Sequence, residues 1–414
     1  MANTPNSLLA LAPAGAALSP ASEGELADAV KEAGERACAL FCEGSGSKRH
    51  HGPAVSDKAR RLSLRRLDRV TGYDPADLIV SCQAGTRLGD LQRTLAEHRQ
   101  WLPIDPPYPG ATIGGILATA SAGPRRYGYG TLKDALLGLR VVGPTGVITK
   151  SGGKVVKNVS GFDLHRLQLG AFGSLGVLLE AHFKVQARPA VVGALLLGQE
   201  SFEQALQTLL GIAAMPLRPV ALEAVDAGAA AALRGLCPEL PDMPAIAIVG
   251  IEGSRAAFDR HLRDLRAISN SARIATELEG GAAERLWQAF RDAPARALDD
   301  ITVRIGARPH DLPGLLTRLA LQPLGVLGRS CHVGSGIARV RLRRPAELAP
   351  LGAELAVCQA KARAQQGYLV VESAPLGIAG RDSLPFGAPG QTLARKIKEA
   401  WDPTAILNPG RMPL

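Results

Sequence analysis

The sequence has 414 residues, of which 46% are hydrophobic, 4% aromatic and 21% charged, and its formal net charge is +10. This length exceeds the usual size of one domain, so we expect two or more domains that share an interface. The basic residues are scattered and are not interleaved with aromatic residues, so the composition excludes a recognisable nucleic-acid-binding module.

The sequence predicts neither export nor membrane insertion. The apolar patch at residues 8–18 has no basic residue before it, unlike a secretory signal. No apolar run reaches the ~18 residues of a membrane span. The six cysteines lack paired spacing and indicate small buried residues in a reducing compartment. We therefore expect a cytoplasmic protein that is soluble, or at most peripheral at the inner face of the cell membrane.

Helices and strands alternate in the first 150 residues. Ser22 and Glu25 form a capping box, which predicts that a helix follows a loosely ordered lead-in over residues 1–20. In chain order we predict a helix at 23–36, a strand at 37–42, a short strand and turn within 62–67, a strand at 78–80, a helix at 88–95, and a hairpin of strands 136–142 and 147–149.

The first glycine-rich stretch, Gly44-Ser-Gly-Ser-Lys48, follows a predicted strand. It offers backbone N–H groups, two hydroxyls and a cation, which suit an anion such as a pyrophosphate, although a plain turn is the alternative. It matches neither the nucleotide P-loop nor the dinucleotide fingerprint. We interpret His50 and His51, which come next, as surface histidines, because no cysteine or carboxylate stands at metal-ligand spacing.

The second glycine-rich stretch, residues 106–130, contains six glycines and almost no bulky side chains. Glycines allow positive φ angles and close approach of backbone N–H groups to a ligand, as a large flat anionic cofactor would require. A flexible linker is the alternative. Ile113, Ile116 and Leu117 favour a packed segment, since they give it side chains to bury.

The sequence changes character after Pro189, where we place a domain boundary. Two β-α-β runs follow and resemble a ferredoxin-like arrangement, an antiparallel sheet with helices on one face. The predicted strands are 190–197, 219–225, 245–251, 274–278, 301–305, 338–342 and 368–371, and the predicted helices are 202–212, 255–268, 281–293, 348–366 and 391–400.

Two further blocks complete a pattern. K-x-x-K-N-x-x-G-x-D-L-x-x-L begins at Lys154, and G-x-x-G-x-L-G-V begins at Gly170. With the Gly44 loop and P-x-x-G-A-T-I-G-G from Pro107, they resemble the FAD-binding domain of the vanillyl-alcohol oxidase / p-cresol methylhydroxylase flavoprotein family in order and separation. Within that family the chain is most similar to the FAD-binding accessory (E) subunits of bacterial glycolate oxidases, also through the tail from Asp402 to Arg411.

The resemblance implies an α+β fold. A two-part FAD-binding domain of the p-cresol methylhydroxylase (PCMH) type would cover residues 21–189, a ferredoxin-like cap 190–400, and a tail at 401–414 would return to the FAD domain. FAD would lie between the domains. The implied cofactor-binding residues are Gly44, Ser45, Gly46, Ser47, Lys48, Pro107, Gly110, Thr112, Ile113, Gly114, Gly115, Ser121, Gly123, Gly173, Gly176, Val177 and Asn408.

Two details of the cofactor site each have two interpretations. The hydroxyls of Ser47 and Thr112 are either donors to the cofactor or stabilisers of their turns. Many relatives attach FAD covalently through a histidine at the position that Ser47 resembles, so we expect noncovalent FAD here. His50 and His51 are the alternative linkage sites.

Catalysis is harder to place than cofactor binding. Oxidation of a 2-hydroxy acid by a flavin needs cations for the carboxylate and a base for the hydroxyl proton. Related catalytic subunits carry a metal and substrate motif H-x-G-D-G-x-x-H, but the segment from Cys331 to Gly336 lacks its aspartate and second histidine, and we predict no metal site. Candidates for an anion site are Arg304, His332, Arg339 and Arg341, with exposed strand-face arginines as the alternative.

The resemblance therefore implies a noncovalent FAD-binding subunit of a glycolate oxidase complex. Its partners would be a larger FAD-containing catalytic subunit and an iron–sulfur subunit that passes electrons from glycolate to a membrane acceptor. Two alternatives stay open: a stand-alone FAD-dependent 2-hydroxy acid dehydrogenase, and a scaffold subunit whose FAD is structural.

Overall fold

The structure, a computed structural model, describes residues 17–54, 58–154, 162–268, 275–387 and 390–412. Most of the lead-in and residues 155–161 of the block at Lys154 lie outside this part. The strands are β1 (Leu40–Glu43), β2 (Arg60–Ser63), β3 (Val70–Asp74), β4 (Ile79–Gln83), β5 (Gln100–Trp101), β6 (Leu136–Val142), β7 (Ile148–Gly152), β8 (Val177–Lys184), β9 (Gln186–Ala187), β10 (Val191–Gln199), β11 (Ala221–Asp226), β12 (Ala245–Gly253), β13 (Ala275–Glu279), β14 (Ile301–Gly306), β15 (Val326–His332), β16 (Ile337–Leu342) and β17 (Tyr368–Ser373).

The α-helices are α1 (Glu23–Glu35), α2 (Leu88–Ala96), α3 (Ile113–Ala118), α4 (Arg126–Tyr129), α5 (Leu132–Ala135), α6 (Phe202–Ala213), α7 (Ala227–Arg234), α8 (Arg255–Ile268), α9 (Gly281–Asp292), α10 (Leu312–Leu319), α11 (Leu348–Ala364) and α12 (Gln391–Trp401). Among the helices in the described ranges, none has the length and apolar content needed to cross a bilayer.

The two ends of the described chain join one small sheet. β1 and β2 pair in parallel, Leu18 forms a bridge with Leu62 beside β2, and Leu407 forms one with Leu40 beside β1. All four leucines are buried. Ordered structure therefore begins before residue 21, and the C-terminal tail packs against the N-terminal domain.

A second, antiparallel sheet completes the N-terminal domain in the order β3-β4-β8-β6-β7. The predicted hairpin is confirmed, because β6 and β7 pair directly. Helix α1 begins as its cap predicts: the Ser22 hydroxyl accepts a hydrogen bond from the Glu25 N–H at 3.2 Å. The reciprocal bond differs, since the Glu25 carboxylate accepts from the Ala21 N–H at 2.9 Å instead of from Ser22.

The C-terminal domain is built on one eight-stranded antiparallel sheet, ordered β13-β10-β12-β11-β15-β16-β14-β17. Each half has the strand order of a ferredoxin-like unit, and β11 pairs with β15 to join them. One face of the sheet packs against α6, α8, α10 and α11 in a continuous apolar core. The predicted α+β class and ferredoxin-like cap are confirmed.

The opposite face of this sheet is divided. Helices α7 and α9 cover the half formed by β10 to β12 with a smaller apolar core. Alternation places Ile301, Val303 and Ile305 of β14 in the main core, so Arg304 points to the other face, as predicted. On this face of the other half of the sheet, β14 to β17, the polar side chains face the N-terminal domain.

The end of the second glycine-rich stretch packs against the cap. Arg125 donates from Nε to Glu252 at 2.8 Å, and the Tyr129 hydroxyl donates to the same carboxylate at 2.8 Å. The Gly128 N–H donates to the Val220 carbonyl at 3.1 Å. The Glu252 side chain is completely buried, so these bonds satisfy a charge that lies inside the domain interface.

Candidate functional site

The two glycine-rich stretches meet at the end of β1. A Cβ atom added at Gly44 would lie 2.0 Å from Oγ1 of Thr112, so only glycine permits this contact. Thr112 caps helix α3, where its Oγ1 accepts a hydrogen bond from the Gly115 N–H at 3.3 Å. The loop after β1 is therefore held directly against the start of α3.

A cavity of about 70 Å³ lies at this junction. Eight of the predicted cofactor residues line it: Gly44, Ser45, Gly46, Ser47, Lys48, Thr112, Gly115 and Asn408. It is also lined by residues that the sequence did not single out, namely Phe41, Cys42, Glu43, Arg49, Ala118, Thr119, Phe172 and Arg411.

The loop presents unused donors at this cavity. Among the described residues, no acceptor takes the backbone N–H groups of residues 45–48. The Lys48 side chain is buried, and its ammonium has no hydrogen-bond partner within the same ranges. Burial lowers the pKa of Lys48 to about 7, against an opposing influence of Glu372. Several fixed N–H groups beside an uncompensated buried amine are the chemistry that binds a diphosphate.

Two buried arginines bind the backbone carbonyl oxygens of residues 48–53, the segment that follows the loop. Arg411 donates to the carbonyls of Lys48, Arg49 and Pro53. Arg381 donates to the carbonyls of His50 and Gly52, at 2.9 and 2.6 Å. Because both arginines bind carbonyl oxygens, the N–H groups of the loop stay available for an anion.

Asn408 lines the cavity, but its amide group serves the fold. Its Oδ1 accepts from the Cys42 N–H at 2.7 Å, and its Nδ2 donates to the Phe172 carbonyl at 2.5 Å. The residue thus ties the C-terminal tail to the end of β1 and to the turn before Gly173.

The prediction that His50 and His51 are surface residues is wrong. Both are 8% exposed, and both Nε2 atoms contact the Tyr108 hydroxyl, at 2.6 and 3.1 Å. The segment is a turn rather than a strand, and His51 bridges to Ser373 at the end of β17, which draws both rings inward. Burial lowers the pKa of His50 to about 4 and that of His51 well below its usual value.

Tyr108 holds this pair from a strained position. Its φ is +75°, which is uncommon for a bulky residue, and its ring is buried. A phenol has one proton, so it donates to only one imidazole, and the other ring must donate its own N–H to the phenol oxygen. The three side chains therefore form a neutral unit with assigned donors and acceptors.

A second cavity, a cleft of about 150 Å³, lies between the domains. Pro107, Tyr108 and Gly123 line it on one side, and His332, Arg339 and Arg341 on the other. A Cβ atom at Gly123 would lie 2.0 Å from the Asp105 carbonyl oxygen, so this glycine brings two backbone segments into contact at the cleft.

Side chains from four cap strands form a network at the cleft. His332 Nδ1 lies 2.6 Å from Glu223 Oε1, and His332 Nε2 lies 2.6 Å from Arg339 Nη1. Arg339 also donates to both oxygens of Glu372, at 2.6 and 3.2 Å. Because a guanidinium only donates, Nε2 is the acceptor and Nδ1 carries the proton toward Glu223.

The pKa shifts in this network follow from burial and pairing. Burial raises the pKa of Glu223 well above its usual value and lowers that of His332 well below. For Glu372, burial opposes ionisation, but Arg339 and Arg304 hold its pKa below the ordinary range. His332 is thus neutral, and its basic nitrogen is already occupied by Arg339.

The other predicted catalytic residues are placed as follows. Arg339 and Arg341 are partly buried at the cleft rather than exposed on a strand face. Arg341 lies 3.3 Å from Asp300, and Arg304 does not line the cleft but lies 3.6 Å from Glu372. Burial, and after it the charge of Arg339, lowers the pKa of Arg126 of α4, a residue that the sequence did not indicate.

Seven predicted cofactor residues line neither cavity: Gly110, Ile113, Gly114, Ser121, Gly173, Gly176 and Val177. Ile113 is in the core, and the Gly114 N–H donates to the Ala84 carbonyl at 2.7 Å. The Ser121 hydroxyl is 2.6 Å from that of Thr119. Within the described ranges, no group of three or more potential metal-ligating side chains occurs.

Comparison with known proteins finds two family matches in different parts of the chain. Residues 14–152 match the FAD binding domain family, and residues 188–308 and 384–412 match the C-terminal domain of FAD linked oxidases. Glycolate oxidase subunit GlcE of Escherichia coli (strain K12) is 30% identical over 386 residues, which cover 90% of this chain and 92% of that protein. The chain belongs to the FAD-linked oxidase family. The predicted family and the predicted cofactor, FAD, are confirmed, and this FAD-linked oxidase is an FAD-dependent oxidoreductase.

One further relative matches a shorter part of the chain, and one solved structure shares its fold. D-lactate dehydrogenase of Anaerostipes hadrus is 35% identical over 162 residues, which cover 39% of this FAD-linked oxidase and 34% of that protein. Among solved structures, alkyldihydroxyacetonephosphate synthase aligns with a TM-score of 0.65 and 20% identity, over 95% of this chain and 76% of its own. The second likeness concerns the fold alone.

Proposed function

We propose that this FAD-linked oxidase is the noncovalent FAD-binding subunit of a glycolate oxidase-like complex. The complex would oxidise glycolate to glyoxylate and pass the electrons through an iron–sulfur subunit to a membrane acceptor. When bound, FAD supplies a hydride acceptor and an electron carrier. One observation in the cleft supports the proposal most directly. Arg339, the cation at its centre, is hydrogen-bonded to His332, with 2.6 Å between Nη1 and Nε2.

The loop at residues 44–48 and the turn from Thr112 to Gly115 would hold the diphosphate of FAD. The loop lines one cavity together with Thr112 and Gly115. The N–H groups of residues 45–48, which no acceptor in the described ranges takes, and the Lys48 amine suit the charge of a diphosphate. A noncovalent cofactor is supported by Ser47 at the usual linkage position and by the two histidines. Both imidazoles are engaged with the Tyr108 hydroxyl inside the protein, and neither stands free to attack a flavin.

Oxidation of the substrate by this chain alone would need a free base beside a free cation. In the cleft, His332 accepts from Arg339, and Arg339 is held by Glu372. We therefore assign substrate oxidation to a larger flavoprotein subunit, with this chain as its partner at the inner face of the cell membrane. The likeness to GlcE over 90% of the chain supports the same assignment.

The test uses the full chain, purified with FAD under anaerobic conditions and mixed with glycolate. We expect the flavin absorbance of the isolated chain to persist, whereas dithionite bleaches it and so shows that the flavin is reducible. Co-purification with a larger flavoprotein and an iron–sulfur protein should restore bleaching by glycolate. Rapid bleaching of the isolated chain contradicts the accessory role.

A stand-alone 2-hydroxy acid dehydrogenase is the second candidate, and one observation favours it. Arg339 and Arg341 line the cleft together and would suit a carboxylate. In that case Arg341→Met should raise the KM for the substrate of the isolated chain at least tenfold, whereas Arg344→Met, at an exposed position, should not. Equal kinetics for both variants count against this candidate.

A further inference from the structure

Lys48 is buried, and within the described part of the chain its ammonium has no partner. It is 7% exposed, and its ammonium makes no hydrogen bond to any residue in the described ranges. Lysine is among the side chains least often buried unless paired, because an ammonium loses its hydration inside the protein. This lysine also ends the loop that carries the free N–H groups of the smaller cavity.

The charged groups around Lys48 interact with other partners. Glu372, the acid that acts on it, is bound by Arg339 at 2.6 Å. Arg411 approaches only its carbonyl oxygen, at 3.5 Å. His50 and His51, which also face it, are neutral, because burial holds their pKa values below the neutral range. Lys48 therefore has no counterion of its own in the part of the chain that the structure describes.

We propose that Lys48 is the charge partner of the cofactor diphosphate, so that this chain takes up a proton when FAD binds. The proposal rests on the cofactor position given under the proposed function. It adds a measurable property that the FAD-binding family does not by itself imply, since an arginine or a set of N–H groups would bind the same anion without a proton change.

The number of protons taken up on FAD binding follows from the burial of Lys48. Without the anion, burial sets the pKa of Lys48 to about 7, so about one tenth of the amine is protonated at pH 8. A bound anion stabilises the ammonium and raises this pKa. Binding should then take up about 0.9 proton at pH 8 and only about 0.1 at pH 6, and affinity should fall about tenfold per pH unit above pH 8.

The neighbours of Lys48 do not titrate in this window. His50 has a pKa of about 4, and that of His51 is also well below its usual value, both because of burial. Glu372 stays ionised, since Arg339 and Arg304 outweigh the opposing effect of burial. Burial raises the pKa of the Cys42 thiol to about 12, and the pKa of Tyr108 also lies above its usual value. The proton uptake between pH 6 and 8 would therefore report on Lys48.

The experiment is calorimetric titration of FAD into the flavin-free full chain at pH 6, 7 and 8. Each titration is repeated in buffers of different ionisation enthalpy, which gives the number of protons taken up. Lys48→Met should abolish the uptake and weaken binding at pH 6 at least tenfold. Lys48→Arg should keep tight binding but lose its pH dependence, because guanidinium stays charged. Lys396→Met, at an exposed position on α12, is the matched control and should behave as the wild type.

Two results overturn the inference: wild-type binding without proton uptake, or uptake that persists in Lys48→Met. Complete failure of the folded wild-type chain to bind FAD would overturn both the cofactor position and the inference. The accessory role is tested separately, since bleaching by glycolate would refute that role while leaving the measured proton uptake unchanged.

Discussion

Replacement of Arg339 by methionine should destabilise the protein in a pH-dependent manner. The wild-type guanidinium donates to both oxygens of Glu372, and the two side chains are 24% and 14% exposed. Removal of one partner of a buried ion pair typically costs 3–5 kcal/mol, because the other charge is left uncompensated. Arg304 remains 3.6 Å from Glu372, so we expect a loss near the lower limit, about 3 kcal/mol at pH 7.5.

The pH dependence has a definite sign. In the wild type, arginines hold the pKa of Glu372 below its unfolded value of 4.5, so its stabilising contribution is complete above that value and is lost only as pH falls toward the folded pKa. In Arg339→Met, the effect of burial prevails and raises the pKa of Glu372. The folded state then disfavours the ionised carboxyl, and the loss of stability should shrink as pH falls from 7.5 to 5.

The assay is urea unfolding of the flavin-free chain at pH 7.5 and pH 5, which avoids stabilisation by bound cofactor. The double variant Arg339→Met/Glu372→Gln removes the buried charge and should recover at least about 1 kcal/mol at pH 7.5 relative to the single variant. A loss below about 1 kcal/mol for Arg339→Met, or an equal loss at both pH values, would refute the reasoning.

Two other substitutions test the glycine contact and the domain interface. Gly44→Ala should weaken FAD binding at least tenfold in a fluorescence titration, because its Cβ would clash with Thr112. Gly211→Ala, on an exposed position of α6 where an added Cβ has nothing within 4 Å, should bind as the wild type. Arg125→Met leaves Glu252 buried without its cation and should lower the melting temperature of the flavin-free chain by several degrees, which calorimetry will measure. If Arg125→Met melts as the wild type does, this pair does not stabilise the interface.

Helices and strands that carry a clear local signal were predictable from the sequence. Those that depend on tertiary contacts were not. Helix α1 and the β6–β7 hairpin carry local signals, a cap and a tight turn. Helix α7 is mostly alanine, so it has little apolar contrast between its faces. Strand β15 buries Cys331 in the main core and packs the partly buried Val326 against it, but it shows no apolar alternation, although it lies at the centre of the sheet.

The same distinction applies to the site. The loop from Gly44 to Lys48 was recognisable, because anion-binding turns depend on nearby glycines and hydroxyls. The burial of His50 and His51 was not, since it depends on a bridge to Ser373, which is remote in the sequence. Neither Tyr108 nor Glu372 carries a local signal, because each acquires its role from a side chain that is remote in the sequence, His50 for Tyr108 and Arg339 for Glu372.

Arg339 explains how the absence of a complete H-x-G-D-G-x-x-H motif affects the geometry of the cleft. Counted along H-x-G-D-G-x-x-H from His332, it stands where the motif has its second histidine. Its guanidinium lies between the His332 imidazole and the Glu372 carboxylate, which are ligand types that divalent metals also use. A guanidinium provides a permanent charge but no coordination position for a substrate oxygen, and it leaves His332 without a free basic nitrogen. These properties favour a cleft that stabilises charge beside a flavin over one that activates a hydroxy acid by itself, which is the reason we place the chemistry on a partner subunit.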